Sequence, residues 1–460
     1  MGRIKLLFKN IGLFTVSSFS IKLVAFILLP LHTRVLGLSD FGKYDIFLLL
    51  IAFFMPIFTL AIYESVLRFT IGKSSPNEVL EIAHKIFLKG FLLLIILFYP
   101  ISLYFDISSF YGLFLIIFFL QALQRIYQEH TKGLGNIKLV AIIGFVQSLV
   151  LLLLNYLFVI KIELQLEGVL YAILISNIIS LSIYIYNIDK NIFLSKKPIN
   201  SDLEKEMLKF SLPIIPNNLA WWFNNFSSRI IIQQFLTYAE MGLFAAASRI
   251  PALATFFQGI FIQAWQYSAI KEYDSKDKNE YYKEVYKLYT IFLILFSSTL
   301  ILFIDKIANA LFGTDFLEAL YYIPFLISSV VFSALSGYIG QIFIASKETK
   351  ILFKSSLIGA IVNVVLNVIF IPIYGLFAAS IISAISAIVL WRYRLSFCDQ
   401  SFYKSIKYSN IILHIIFITF ILYSTFFKEI TVLLFLYSLI LFFSKNLFFK
   451  IIQLWKYIIK

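Results

Sequence analysis

The sequence predicts an all-α polytopic membrane protein of about 14 transmembrane helices, and three observations carry that reading. Hydrophobic residues make up 60% of the chain and charged residues 14%, against roughly 45–50% and about 25% in soluble globular proteins. The apolar residues are grouped in runs of about 20, the length at which a helix rising 1.5 Å per residue crosses roughly 30 Å of hydrocarbon. The basic residues are distributed unevenly between the two sides that such runs define, as membrane insertion requires. The single cysteine, Cys398, rules out a disulfide framework, and no Cys/His cluster has metal-ligand spacing.

In chain order the spans are expected near 7–31, 46–66, 86–104, 110–128, 139–160, 168–187, 207–235, 241–268, 288–304, 317–345, 352–372, 375–396, 407–427 and 430–449. The first follows Arg3, Lys5 and Lys9. It is longer than the apolar region of a signal peptide, holds Lys22 and lacks a small-x-small cleavage site, so it reads as a retained helix. The second ends at Glu64 and Arg68, and the short loop holding Gly72, Lys73 and Ser74 separates it from the third. Gly133 and Gly135 follow the fourth span, a short outer loop ending near Gly168 joins the fifth to the sixth, and the polar stretch 188–206 leads to the seventh. The turn around Leu236 precedes the eighth, Lys306 lies between the ninth and tenth, Pro372 and Gly375 divide the eleventh from the twelfth, and Lys428 divides the last two.

With the N-terminus inside, the inner connections and termini hold 31 of the 39 Lys and Arg residues. The outer side holds five, Arg34, Lys43, Lys161, Lys306 and Lys428, while Lys22, Arg229 and Arg249 fall inside spans. This bias places both termini in the cytoplasm. The net charge of +14 is then the charge of cytoplasmic loops facing anionic lipid, and no aromatic-interleaved basic groove points to nucleic acid.

The chain also echoes itself. A shift of 200 residues lays Leu36, Asp40, Phe41, Gly42 and Tyr44 on Leu236, Glu240, Met241, Gly242 and Phe244. A looser echo pairs Leu154, Asn155, Phe158, Ile160 and Gly168 with Leu366, Asn367, Phe370, Ile371 and Gly375. Six helices per unit with the same sense make parallel repeats about an axis along the membrane normal. The expected organisation is an N-terminal six-helix lobe over 1–190, a cytoplasmic linker over 191–206, a C-terminal six-helix lobe over 207–398 and two additional helices over 399–460.

An ionisable side chain inside a span costs a few kcal/mol, so it is read first as functional. Lys22 lies near mid-bilayer, with Thr15 and Ser18 on its face. In the seventh span Asn218, Trp222, Asn225 and Arg229 recur in steps of four, three and four residues, one polar stripe along a helix. Arg249 sits about two turns into the eighth span, and Glu64 and Arg68 near the inner end of the second. Intramembrane charge is thus mainly basic, and Lys22, Arg229 and Arg249 would attract an anion, with the planar arginine fork suited to phosphate oxygens. Asn218, Asn225, Trp221 and Trp222 offer amides and aromatic faces to sugar, and Glu64 or Asp45 could couple an ion. The same residues also fit a purely structural role, in which they snorkel, cap or bridge helices.

Motifs of other chemistries fail. Gly72, Lys73 and Ser74 imitate the end of a phosphate-binding loop, but Leu67 stands where its first glycine is required. Gly133-x-Gly135 continues to Lys138 and follows a helix, unlike a dinucleotide fingerprint. His32, His84, His130 and His414 are scattered. No catalytic site or cofactor is expected.

Lys22, Leu29-Pro30-Leu31, Thr33-Arg34-Val35-Leu36, Gly42, Tyr44, Glu64-Ser65-Val66 and Arg68-Phe69 form a group that resembles the N-terminus of Wzx-type O-antigen and polysaccharide flippases, in the multidrug/oligosaccharidyl-lipid/polysaccharide exporter superfamily. The resemblance implies a MATE-like arrangement of two lobes in a bacterial inner membrane. It implies transfer of undecaprenyl-pyrophosphate-linked oligosaccharide to the periplasmic leaflet by alternating access, with Lys22, Arg34 and Arg68 at motif positions. A polysaccharide polymerase and glycosyltransferases would be its functional partners. The family often has twelve helices, whereas related peptidoglycan-precursor flippases have fourteen. Two rivals remain at the level of sequence: a multidrug exporter of the same superfamily, whose cationic substrates call for acidic cavity residues, and a membrane glycosyltransferase or polymerase, which needs larger outer loops.

Overall fold

The computed structural model describes residues 26–71, 75–187, 200–346, 348–400, 402 and 411–458. Among them the ordered elements are all helical. Eight helices are long and apolar enough to cross a membrane, a ninth span is a bent pair, and three shorter apolar helices accompany them. In a bilayer interior only a helix satisfies every main-chain N–H and C=O within its own segment, short of a closed barrel. The chain divides into two compact units, Ser20–Phe226 and, among the described residues, Ser227–Lys460.

The first unit comprises α1 (Phe26–Val35), α2 (Leu38–Phe58), α3 (Ile62–Ile71), α4 (Pro76–Tyr104), α5 (Tyr111–Gly133), α6 (Ile137–Asn155), α7 (Gln165–Tyr186), α8 (Ser201–Ser211) and the start of α9 (Ile214–Phe235). The second predicted span begins eight residues earlier than expected, at Leu38, and its polar first turns are partnered: Lys43 pairs with Asp106 at 2.9 Å. It also breaks. Pro56 precedes Leu60 and Ala61, both at φ 49, a left-handed conformation that costs a non-glycine residue roughly 1–2 kcal/mol. Gly90 of α4 lies so close to the break that a Cβ there would overlap the Phe58 carbonyl oxygen.

The seventh predicted span is two helices. Asn200 caps α8 by accepting hydrogen bonds from the Asp202 and Leu203 N–H groups, and Pro213 and Pro216 separate its register from that of α9. α8 is amphipathic, burying Leu203 and Met207. It is tied to α3 and α4 by the Ser65 hydroxyl donating to Met207 O at 2.6 Å and by Lys85–Glu204 at 2.6 Å. α5 is the centre of this unit, where Phe98 and Phe114 stack with centroids 3.8 Å apart. One side of α4 leaves Leu92, Leu93 and Ile96 exposed, the apolar face a lipid-contacting helix presents.

The second unit comprises the rest of α9, α10 (Tyr238–Ala247), α11 (Pro251–Lys271), α12 (Lys278–Leu302), α13 (Ile304–Leu311), α14 (Ile323–Ala345), α15 (Thr349–Ser396), α16 (Ile411–Phe426) and α17 (Ile430–Ile458). α10 and α11 form the bent span, turned by 49°. α15 holds the two predicted spans 352–372 and 375–396, divided at Gly375, whose φ of 60 only glycine adopts without strain. α14 is enveloped. Its Tyr338 stacks on Trp265, accepts the indole N–H at its carbonyl (3.1 Å) and donates its hydroxyl to Tyr282 O at 2.7 Å. Lipid is as apolar as leucine, so such packing and hydrogen bonds, more than the hydrophobic effect, hold spans together. The last two helices belong to this unit: His414 stacks on Trp391 and Phe332, and Thr299 and Tyr437 share a 2.8 Å hydrogen bond.

Candidate functional site

Lys22 and most of the first predicted span lie outside the described residues, as do the side chains of Trp221 and Asn225. In the first unit, Arg34 is exposed at the end of α1 and Arg68 is exposed in the last turn of α3. They stand at opposite ends of the α2–α3 span. Glu64 is half-buried in the first turn of α3, and Asp45 is 2% exposed within α2.

Two members of the predicted stripe on α9 are anchored in this unit. Asn218 donates to the Tyr63 hydroxyl at 3.4 Å. Trp222 is buried, donates its indole N–H to Leu49 O at 3.1 Å and packs on Phe53 at 4.7 Å. Its N–H is committed to the main chain of α2.

Further polar groups of this unit, none of them expected at the site, are partnered with one another. Gln124, Gln147 and Asn177 form an amide ladder linking α5, α6 and α7, with contacts of 2.6 and 2.8 Å. The His32 ring and Asn155 share a buried 2.8 Å hydrogen bond, and His32 meets the Tyr44 ring edge-on. Buried Glu129 receives Lys132 at 2.8 Å and Arg125 at 3.6 Å, while the Arg125 guanidinium lies 5.1 Å above the Tyr63 ring.

In the second unit, Arg229 is half-buried on α9. Arg249 is half-buried in the bend between α10 and α11, its N–H bonded to Ala246 O at 2.9 Å and Pro251 restarting the helix two residues later. Nearby in sequence to Arg229, Ser227 and Ser228 donate to Asn363 Oδ1 at 3.0 and 3.2 Å. Asn363 donates to Ser386 at 3.0 Å, and Asn367 donates to both Ser228 and Asn363 at 2.9 Å. This knot joins α9 to both halves of α15 and is fully buried. Its sequence signal is the pair Asn363 and Asn367 at i, i+4, on one face of a helix.

A third arginine, Arg394, is bound entirely to neutral oxygens: Nε to Ser355 (2.9 Å), Nη1 to Ser336 O (3.0 Å) and Nη2 to Ser356 (3.0 Å). It ties α14 to both halves of α15. Just beyond α15, burial first and then Asp399 and Glu348 push the Cys398 thiol up to about 12, which leaves it an inert thiol at neutral pH. Among the described residues no group of three or more His, Cys, Asp or Glu side chains could hold a metal ion.

Residues 7–266, more than half of the chain, match the family model described as polysaccharide biosynthesis protein. The chain belongs to the polysaccharide biosynthesis protein family. Within reach of this family is a curated relative from Haloferax volcanii, a probable low-salt glycan biosynthesis flippase Agl15, 21% identical over 227 residues. The match covers 48% of this chain and 47% of the relative, so the chain spans about half the length of that protein. Two solved structures share the fold. An inward-facing MATE family multidrug resistance transporter of the MOP superfamily superposes with a TM-score of 0.69 at 14% identity, covering 85% of this chain and 96% of that one. The lipid II flippase MurJ in an inward closed conformation superposes with a TM-score of 0.68 at 16% identity, covering 96% and 99%. The all-α polytopic fold read from the sequence is therefore that of the MATE and MurJ transporters, and this member of the polysaccharide biosynthesis family is a multi-pass membrane protein.

Proposed function

We propose that this chain is a flippase that carries an oligosaccharide linked to undecaprenyl diphosphate, a repeat unit of O-antigen, capsule or a related polymer, from the cytoplasmic to the periplasmic leaflet of a bacterial inner membrane. Both termini are cytoplasmic in this reading, and the motion is alternating access. The observation that carries it is a pair of basic groups within spans of a family member: Arg229 and Arg249 are half-buried on α9 and in the α10–α11 bend. A diphosphate brings the negative charge these groups favour. Lys22, Arg229 and Arg249 hold the head group, Arg34 and Arg68 attend it at the two ends of the α2–α3 span, and Asn218, Asn225 and Trp221 meet sugar. Trp222, with its N–H committed to Leu49 O, positions that surface. Buried Asp45 or half-buried Glu64 takes up a coupling proton or sodium ion. A polymerase and glycosyltransferases act before and after it, and the chain itself transports without covalent chemistry.

A second reading, a multidrug exporter, is favoured by the superposition on the MATE transporter. The two part on charge, since a cationic drug would be repelled by Arg229 and Arg249. Complementation decides between them. In a bacterium lacking its polysaccharide flippase, the intact chain restores surface polymer, and Arg249→Ala at matched abundance lowers it by more than about tenfold, the effect of removing one desolvated charge partner. No restoration together with raised resistance to a cationic drug would overturn the flippase reading in favour of the exporter.

A further inference from the structure

We propose that Arg125 of α5 is a phosphate receptor in the first unit, the group that takes the diphosphate of the lipid-linked glycan near one end of the span; the proposal rests on the flippase reading above. Arg125 lies three residues before 128, the expected inner end of its span, hence about 4.5 Å inside it at 1.5 Å per residue. A cation at that position reaches the interface along its own stem, level with the phosphates of a lipid-linked substrate. Exposed Ile116 marks the lipid-facing side of α5. Nine residues separate it from Arg125, which at about 100° per residue puts Arg125 half a turn away from lipid. There it faces Tyr63, whose hydroxyl is held by Asn218.

The surroundings orient the guanidinium without satisfying it. Among the described residues its ion-pair partner is Glu129, which is shared with Lys132; Lys132 takes the shorter contact, 2.8 Å against 3.6 Å. Two cations on one carboxylate leave a net positive charge. The Arg125 Cζ lies over the Tyr63 ring, 5.1 Å from its centroid, a cation–π contact that holds the guanidinium at this position. Neither terminal nitrogen has a hydrogen bond to a described residue, and the side chain is 48% exposed. Arg394 is the contrast within the same chain, with all three nitrogens hydrogen-bonded to protein oxygens. Arg394 is a structural tie. Arg125 is a planar fork beside Glu129 and over the Tyr63 ring, with its two terminal nitrogens open to a bidentate phosphate. Beside it Asn218, through Tyr63, stands where the first sugar would follow.

Phosphate oxygens occur both in a lipid-linked diphosphate and in ordinary phospholipid, so the test separates them. The full-length protein in detergent is titrated with farnesyl diphosphate, with phosphatidylglycerol as competitor. Arg125→Gln is expected to bind farnesyl diphosphate about tenfold more weakly, and Arg125→Lys to recover only part, because lysine offers a point charge without the fork. Glu129→Gln, which removes the competing charge while keeping its shape, is expected to bind about threefold more tightly. Equal affinity of Arg125→Gln and the intact protein overturns the proposal, as does competition by phosphatidylglycerol at equal concentration. If Arg125→Gln does not give monodisperse protein, Glu129→Gln decides alone, and weaker binding by it overturns the proposal. Failure of the intact chain to restore polymer in the complementation assay would instead sink the flippase reading, whereas restoration with unimpaired binding by Arg125→Gln sinks only the role of Arg125.

Discussion

The spans α2–α3 and α10–α11 start alike and break differently. Each follows a main-chain hydrogen bond four residues back, Leu36 N to His32 O and Leu236 N to Ile232 O, both 2.8 Å, in the register of the 200-residue repeat. The first then runs 21 residues before breaking at Thr59–Ala61, whereas the second runs 10 before breaking at Ser248–Ile250. The first break contains no charge and is made by Pro56, two left-handed residues and the bare backbone of Gly90. The second holds Arg249 and is restarted by Pro251. The two spans thus start in the same way and differ in the position and chemistry of the break, and among the described residues the cation sits in the second break.

The sharpest way to break that comparison is at the glycines. Gly90→Ala places a Cβ on the Phe58 carbonyl oxygen, a backbone clash that should cost about 3 kcal/mol or more and lower the melting temperature sharply. Gly259→Ala, in α11 where nothing lies within 4 Å of the new methyl, should change it little. Equal effects would remove Gly90 as the support of the first break.

The arginines come next. Arg394→Gln gives up three hydrogen bonds in the second unit and should destabilise by about 2 kcal/mol, at about 0.6 kcal/mol per intramembrane hydrogen bond and somewhat more for a charged donor. Diphosphate affinity should not move, the reverse of Arg125→Gln. A smaller difference is expected between the echoed asparagine regions. Asn363→Ala loses four buried contacts and should cost about 2 kcal/mol, whereas Asn155→Ala, with His32 and Leu151 O as partners, should cost about 1 kcal/mol. Thermal unfolding in one detergent ranks both, and a reversed order would refute the network as the tighter knot.

The fold was legible because bilayer thickness imposes an apolar length on every span, and that signal survives in a single sequence. What it missed has local causes. The turn Asp40–Asp45 looked like a loop because the partner of Lys43, Asp106, lies far along the chain. α8 was read as the start of the seventh span because Met207 and Leu208 begin an apolar run, while the Ser65 and Lys85 contacts that dock it on α3 and α4 are invisible to periodicity. The site was legible only as charge inside spans. Arg125, near the inner end of the fourth predicted span, was not singled out, since nothing in the sequence places Tyr63 beneath it. Trp222 was read as one more face of a polar stripe because Leu49 O, its acceptor, is 173 residues away.

The central claim, that the cations of this fold serve a lipid-linked diphosphate, is tested most directly in proteoliposomes holding the purified chain and a fluorescent lipid-linked oligosaccharide diphosphate, with a membrane-impermeant quencher added outside. The intact protein should make the inner-leaflet pool accessible to the quencher, and Arg249→Ala should slow that by more than about tenfold. Transport of a cationic dye by the same vesicles, with the lipid pool left protected, would contradict the account.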